Sequence, residues 1–225
     1  MQEKFYQNSL YPLQDKVLHL IQDSGVDFYL TGGTALSRCY LCHRYSDDLD
    51  FFVNGHSKFR LQCQLVVDAL KKSDLHLVIG TAADTFLRVF IDANDFNLKV
   101  DFVNDVAFHW GAPQQDSIFH RVDNWRNILS NKLCALSRNE TKDIVDIIFI
   151  AKYYAFDWED IIQDAKQKDL WVDPIEICKL IHQFPVKLLN DIKWTREVDF
   201  KNLNDDLTRI HKDIFYGNSN SLKVK

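Results

Sequence analysis

Two aspartates separated by one apolar residue, Asp48 and Asp50, are the strongest candidates for chemistry in this sequence. In an extended strand alternate side chains share a face, so both carboxylates would lie together while Leu49 and Phe51 face the core. Two carboxylates this close repel each other unless a cation lies between them. Mg²⁺ commonly binds one or two carboxylates together with substrate phosphates. The pair therefore predicts a Mg²⁺ or Mn²⁺ site, and a solvated strand start is the alternative.

A paired-glycine turn precedes the aspartates. Gly32 and Gly33 lie between a short predicted strand and a helix that begins near Thr34. Glycines at such a turn let the backbone approach a phosphate closely, and the first turn of a helix offers free N–H groups. The turn is consistent with nucleotide binding, although a strand-to-helix turn also contains glycine for purely steric reasons.

A third carboxylate, Asp101, lies inside an apolar strand between Val100 and Phe102. Asp is unfavourable in strands, so its presence there needs a reason. If this strand lies beside the one with Asp48 and Asp50, three carboxylates converge into a metal-binding triad. The alternative is a Lys99–Asp101 ion pair on a solvated sheet face.

The elements that must position these residues follow from hydrophobic periodicity. Helical spacing predicts helices over 11–24, 34–42 and 58–72, and apolar runs predict strands at 27–30, 49–53, 75–80, 85–91 and 96–103. Residues 104–123 have no clear period, and the pattern from residue 124 onward is helical. We therefore predict an α/β sheet module over 1–105 and a mainly helical module over 106–225.

Composition excludes several classes of protein. The chain has 225 residues and lacks the run of about 18 apolar residues that a membrane span requires. No signal peptide is predicted, and five cysteines argue against a disulfide scaffold, so we expect a cytoplasmic protein. A net charge of −5 argues against a surface coated with basic residues for nucleic acid, but 27 Lys and Arg leave room for a local basic groove.

One further motif is set aside. Cys39-Tyr40-Leu41-Cys42-His43 matches the c-type haem attachment pattern. We expect no haem, because that chemistry needs an exported chain and Cys39 fits the apolar stripe of a predicted helix. We expect no Zn²⁺ there either, since no second cysteine pair supplies the remaining ligands.

Four blocks of this sequence resemble the AbiEii/AbiGii toxin family of nucleotidyltransferases, within the nucleotidyltransferase superfamily. They are, in order, 32–36 (GGTAL), 44–51 (RYSDDLDF), 131–138 (NKLCALSR) and 142–146 (KDIVD). The glycine block followed by Asp-x-Asp is specific for this family, whereas the later two blocks are specific only when they occur together with the first two.

The resemblance implies a fold and a set of roles. The fold would be the minimal nucleotidyltransferase mixed sheet with flanking helices (α+β or α/β), followed by a helical C-terminal module. Asp48 and Asp50 would bind the metal, and Asp101 would complete the triad. The remaining implied positions are Gly32, Gly33 and Thr34 on the triphosphate, Lys132 on nucleotide phosphates, and Asp143 or Asp146 as a conserved helical pair.

Some of these assignments stay open when the residues are considered by themselves. Arg44 and Ser46 could contact phosphate or orient the loop before Asp48. Lys132 could be an ordinary solvated helix residue. Asp143 and Asp146, at i and i+3, could pair with Lys142 or Arg138 and hold the two modules together.

We therefore predict an enzyme that transfers a nucleotide from a nucleoside triphosphate to an acceptor and releases pyrophosphate. The resemblance implies the toxin of a toxin–antitoxin system, an antitoxin protein as partner, and an RNA acceptor such as a tRNA end, with protein as the other acceptor. The alternatives are an inactive nucleotidyltransferase-like binding module and a metal-dependent phosphodiesterase. Intact Asp48 and Asp50 favour an enzyme over the first, and the glycine turn favours nucleotide binding over the second.

Overall fold

The computed structural model of this chain describes residues 2–93 and 95–223. Within these residues the chain forms two compact units. Among the described residues the first comprises those up to 35 and those from 45 to 124, and the second comprises 36–44 and those from 125 onward. The short segment 36–44 thus belongs with the C-terminal helices, and the sheet continues past residue 105.

The first unit contains a mixed sheet. Within the described residues its strand order is β3-β4-β5-β2-β1-β7-β6. The strands are β1 (Tyr29–Thr31), β2 (Leu49–Asn54), β3 (His76–Ala82), β4 (Phe86–Asp92), β5 (Asn97–Asp105), β6 (Gln114–Asp116) and β7 (His120–Val122). The β2–β5 and β1–β7 pairs are parallel, and the other neighbours are antiparallel.

The first unit also contains an N-terminal helical run and a helix that covers the sheet. The helices are α1 (Gln2–Phe5), a π-helical turn (Tyr6–Leu10), α2 (Tyr11–Asp23), α3 (Gly32–Thr34) and α4 (Phe59–Lys72). Helix α4 buries an apolar stripe at helical spacing, and β2 alternates buried with half-buried residues as its sequence indicates; the stripe consists of Phe59, Cys63, Val66, Val67 and Leu70. This alternation places Leu49, Phe51 and Val53 in the core and frees the opposite face of β2 for polar side chains.

The second unit is helical. It contains a π-helical segment that begins in the first unit (Ala35–Tyr40), α5 (Trp125–Ala135), α6 (Thr141–Tyr153), α7 (Trp158–Lys166), α8 (Pro174–Gln183) and α9 (Phe200–Tyr216), with 3₁₀ turns at Leu136–Arg138 and Val186–Asp191. Helix α5 packs on α6 and α7, and α8 packs on α9. Asp173 and Asp199 cap α8 and α9 with their side chains.

The predicted fold class, a mixed sheet with flanking helices followed by a helical part, is confirmed. The predicted strands and helices up to residue 103 all form, with ends shifted by a few residues. The structure adds β6 and β7 in the stretch that showed no period. Within the described residues no helix is both long and apolar enough to cross a membrane.

Candidate active site

The sheet brings the three predicted carboxylates onto one face. Asp50 and Asp101 are register partners on the parallel strands β2 and β5, so their side chains project in the same direction. Asp48 lies two residues before Asp50. The Lys99 ammonium contacts the carboxylates of Asp48 and Asp101, with Nζ 2.7 Å from Asp48 Oδ2 and 3.9 Å from Asp101 Oδ2.

Asp101 is held by an arginine from the neighbouring strand. Arg88 of β4 is its register partner on the antiparallel side. The guanidinium donates two hydrogen bonds, from Nε to Oδ1 and from Nη2 to Oδ2, each 2.7 Å long. Such a two-pronged pair fixes the orientation of the carboxylate. These hydrogen bonds raise the pKa of Arg88 above its ordinary value although partial burial acts against this. The alternative reading, a solvated Lys99–Asp101 pair, is therefore incomplete: Asp101 is buried, and its main partner is Arg88.

Lys99 is a stable cation in this cluster. Partial burial acts to lower the pKa of its ammonium, but the hydrogen bond and charge of Asp48, with the charges of Asp101 and Asp50, outweigh this effect. The net result is a raised pKa. Lys99 therefore carries its positive charge among the carboxylates over the physiological pH range.

The glycine turn packs directly against Asp50. Gly32 follows Thr31, the register partner of Asp50 on β1, and adopts φ +67°. A Cβ atom at this position would lie 2.7 Å from Asp50 Oδ2, closer than any real Cβ contact. Gly33 is buried, and Thr34 is buried with its hydroxyl donating a hydrogen bond to the Asp48 carbonyl oxygen. The turn and the carboxylates thus form one structural unit.

The loop before Asp48 is held from the N-terminal helical run. The Gln14 amide donates to the carbonyl oxygens of Ser46 and Asp47, at 3.3 Å and 3.2 Å. The Tyr6 hydroxyl donates to the Asp47 carboxylate, and its ring stacks on Tyr45 with centroids 4.0 Å apart. Ser46 itself is buried. Its position agrees with a role in shaping this loop, and contact with phosphate stays a prediction.

Arg44 and Lys132 lie in the second unit, where both are bound to Asp146. The Arg44 guanidinium donates to the two Asp146 oxygens from Nε and Nη2, each at 2.7 Å. Lys132 Nζ lies 2.7 Å from Asp146 Oδ2, and His43 Nε2 lies 2.8 Å from Asp146 Oδ1. All four residues are buried. Lys132 is therefore not the solvated helix residue that was the alternative, and contact of Arg44 or Lys132 with phosphate stays a prediction.

Asp143 completes this buried charge cluster. Its Oδ1 lies 2.6 Å from Lys132 Nζ, and its Oδ2 lies 3.2 Å from Arg138 Nη2. The predicted pairing with Arg138 is confirmed for Asp143, whereas Asp146 pairs with Arg44 and Lys132. The partners are all in the second unit. The two carboxylates thus join α6 to α5 and to the segment that ends at Arg44.

Burial and opposite charge act against each other in this cluster. Burial acts to raise the pKa of Asp146, but the charges of Arg44 and Lys132 outweigh it and hold this pKa well below its ordinary range. The Lys132 pKa is raised because Asp146 and Asp143 outweigh its desolvation. For His43 burial dominates and lowers the pKa below 6.5. The cluster therefore contains a charged Asp146 carboxylate and the Arg44 and Lys132 cations beside a neutral imidazole.

The sequence analysis missed the roles of Arg88, Tyr6 and Gln14. A signal for Arg88 exists: apolar alternation at Leu87, Val89 and Ile91 places it on the face opposite the core. The register of the β4–β5 pair then puts it opposite Asp101. Tyr6 and Gln14 act on residues more than 30 positions away, so no local pattern reveals them.

Comparisons with known proteins place this chain. A family model described as nucleotidyl transferase AbiEii toxin, type IV toxin–antitoxin system, matches residues 20–221. The chain belongs to this family. The match covers the glycine turn, all three carboxylates of the sheet and the buried charge cluster. It thus confirms the resemblance found in the sequence and makes the chain a member of a family of nucleotidyltransferase toxins.

Solved structures share the fold of this AbiEii family member. A crystal structure of a candidate nucleotidyltransferase from H. pylori superposes with a TM-score of 0.58 at 21% identity, covering 91% of this chain and 96% of its own. The structure of JHP933 from Helicobacter pylori gives 0.56 at 23% identity, with 90% and 92% covered. A search of curated protein sequences found no significant match.

Proposed function

We propose that this AbiEii family member transfers a nucleotide from a nucleoside triphosphate to an acceptor in a reaction that depends on Mg²⁺ or Mn²⁺. The observation that carries the proposal is the shared face of Asp48, Asp50 and Asp101, with Gly32 packed against Asp50. A structural strand start has no need for three neighbouring carboxylates, because their mutual repulsion is a cost.

The residues of this face fit a hard divalent cation. Asp48 and Asp50 are partly exposed and offer only oxygen ligands, which Mg²⁺ prefers. Among the described residues no group of three or more His, Cys, Asp or Glu side chains is arranged to hold a metal ion by itself. The fit is therefore to an ion held by these two carboxylates, with the phosphates of the substrate completing its coordination.

The chain's own groups have distinct tasks in this proposal. Asp48 and Asp50 hold the ion, which when bound would offset charge on the phosphates and on the leaving pyrophosphate. The Gly32–Thr34 turn lets the triphosphate approach the backbone beside Asp50. Asp101 accepts two hydrogen bonds from Arg88, so one of them has to open before Asp101 reaches the ion or an acceptor hydroxyl.

We infer RNA as the acceptor, in the form of an exposed tRNA end, and growth arrest as the consequence of the transfer. The inference rests on membership of a toxin family, whose name also supports an antitoxin as the natural partner. Net negative charge does not prevent RNA binding, because ions and cations within a site dominate the field at short range. A protein acceptor is the competing outcome.

The deciding experiment incubates the purified chain with each labelled nucleoside triphosphate, total cell RNA and total cell protein, with Mg²⁺ or with EDTA. The chain is compared with the Asp48→Asn, Asp50→Asn double variant and with a control that carries Asp23→Asn and Asp74→Asn at exposed positions. We expect the parent and the control to label tRNA in the presence of Mg²⁺ but not in EDTA. Expression of the same two chains should arrest growth, whereas expression of the double variant should not.

Other outcomes discriminate the competing functions. Labelled protein with unlabelled RNA would move the acceptor to protein. Shortened RNA without label would indicate a phosphodiesterase. Equal toxicity of the parent and the double variant, without any labelling, would leave an inactive binding module.

A further inference from the structure

The Lys99 ammonium lies among the carboxylates to which the divalent ion is proposed to bind. Its Nζ lies 2.7 Å from Asp48 Oδ2 and 3.9 Å from Asp101 Oδ2. Asp48 lies immediately before β2 and Asp101 lies on the neighbouring strand β5, where Lys99 projects from the same face two residues before Asp101. A divalent ion that binds Asp48 has to compete with this ammonium for the same carboxylate.

The two cations of this face differ in how firmly they are held. Arg88 makes two 2.7 Å hydrogen bonds to Asp101, whose side chain is 9% exposed. Lys99 has one close carboxylate contact, and the side chains of Lys99 and Asp48 are 28% and 30% exposed. A lysine is a point charge on a flexible stem, whereas a forked arginine pair is geometrically fixed. Lys99 is thus the cation that can leave while Arg88 stays.

We propose that Lys99 is a resident counter-cation that keeps Asp48 neutralised in the free protein and yields it when the divalent ion arrives with the nucleotide. Without a cation the carboxylates of Asp48, Asp50 and Asp101 would repel one another across β2 and β5. Lys99 removes part of that repulsion at no cost in translational entropy, because it belongs to the chain.

A consequence is that metal binding is coupled to nucleotide binding. The ammonium weakens the attraction of the empty carboxylates for a free divalent ion. The phosphates of the nucleotide bring additional ligands and negative charge, which favour the ion and offer the released ammonium a new partner. Lys99 thus disfavours binding of the divalent ion to Asp48 in the absence of the nucleotide. This inference rests on the proposed function, because it takes Asp48 as a ligand of the ion.

The test measures Mn²⁺ binding to the nucleotide-free full chain by electron paramagnetic resonance of the unbound ion. Lys99→Met removes the charge and keeps an unbranched side chain that is one atom shorter, and Lys99→Arg keeps the charge. Lys179→Met is the matched control, since Lys179 forms an exposed pair with Glu176 at 3.5 Å. We expect Lys99→Met to bind Mn²⁺ roughly three- to tenfold more tightly than the parent, the range for removal of a partly screened competing charge.

A second readout is thermal stability. In EDTA the Lys99→Met variant should melt below the parent, and saturating Mn²⁺ should raise its Tm more than it raises that of the parent. Lys99→Arg keeps the charge and should bind Mn²⁺ no more tightly than the parent, and Lys179→Met should retain the parent's Mn²⁺ affinity within about twofold, a difference expected for loss of an exposed charge.

The failure of this inference is separable from failure of the proposed function. Equal or weaker Mn²⁺ binding by Lys99→Met, with binding lost in Asp48→Asn, would overturn the counter-cation role and leave the metal site intact. Absence of Mn²⁺ binding in every chain, even with a nucleoside triphosphate added, would overturn both.

Discussion

At the scale of single residues, Gly32 is constrained both by its backbone conformation and by its contact with the Asp50 carboxylate of the candidate site. Its φ of +67° favours glycine, and the space where a Cβ would stand is occupied by Asp50 Oδ2. The two requirements can be tested separately, because Gly25 also has a positive φ, +69°. Apart from its chain neighbours, no atom of the described residues lies within 4 Å of the place of its Cβ.

We predict that Gly32→Ala loses more stability and activity than Gly25→Ala. Both variants should lose roughly 1–2 kcal/mol of unfolding free energy from the left-handed backbone. Only Gly32→Ala should also displace the Asp50 carboxylate and reduce nucleotidyl transfer at least about tenfold, in line with the cost of misplacing a catalytic group. Chemical denaturation and the labelling assay measure the two effects. Equal behaviour of the two variants in both assays would contradict the packing argument.

A second residue-scale prediction concerns Arg88. Arg88→Met leaves the buried Asp101 carboxylate without its forked partner. We expect a loss of roughly 1–3 kcal/mol, below the value for a fully buried pair because the Arg88 side chain is 35% exposed. Arg60→Met, which removes an exposed pair with Asp84, should change stability by less than about 0.5 kcal/mol.

A double-variant cycle tests the origin of that loss. If the penalty comes from the stranded carboxylate, Asp101→Asn should recover part of it in the Arg88→Met background. Additive losses would mean that Arg88 stabilises the sheet through contacts other than its pair with Asp101.

At the scale of elements, the N-terminal helical run supports the loop before β2. Tyr6 and Gln14 hold three groups of Ser46 and Asp47, immediately before Asp48. Burial, together with the neighbouring Asp47 carboxylate, raises the pKa of Tyr6, so its hydroxyl stays a donor. The family model matches this chain from residue 20 onward, so the match does not include Tyr6 and Gln14.

We predict that Gln14→Leu weakens the site through this loop. The buried Ser46 carbonyl oxygen and the part-buried Asp47 carbonyl oxygen would lose a donor, at a cost of about 1–3 kcal/mol in stability. The labelling assay should need a higher Mg²⁺ concentration for half-maximal rate, because Asp48 would be less well positioned. Gln64→Leu, at an exposed position of α4, is the control. An unchanged Mg²⁺ requirement in a destabilised Gln14→Leu chain would limit the helical run to a structural role.

At the scale of the whole molecule, the second unit is assembled from two distant stretches of sequence. The segment 36–44 joins the helices after residue 124, and its last residues, His43 and Arg44, bind Asp146 of α6. The Nδ1 atom of His43 is buried and has no hydrogen-bond partner among the described residues. A neutral imidazole is tolerated there, whereas a second proton would place a charge beside Arg44 and Lys132.

This arrangement predicts acid sensitivity. Burial lowers the folded-state pKa of His43 below 6.5, so the unfolded chain binds the proton more readily. Stability is therefore fully present above about pH 6.5 and falls as the pH drops below it, by at most about 1.4 kcal/mol per pH unit for one proton. We expect the Tm of His43→Gln to fall less between pH 7 and pH 5 than that of the parent. His19→Gln, at an exposed position, should follow the parent, and parallel curves for all three chains would refute the assignment.

Local sequence determined the parts of this protein that depend on near neighbours. The alternation over 49–53, the helical stripe over 58–72 and the paired glycines are each set by residues a few positions apart, and each forms as predicted. The Asp-x-Asp spacing alone places two carboxylates on one strand face. The resemblance based on these short blocks was sufficient to identify the family.

Which charged side chains contact one another depends on the tertiary structure. The register of β5 against β2 and β4 brings Asp101 beside Asp50 and Arg88, and it places Lys99 on Asp48. Strands β6 and β7 have three residues each and so are too short to show a period. Ion pairs between residues about 10 to 100 positions apart cannot be predicted from the local sequence pattern, because their energy depends on burial and distance in the folded chain.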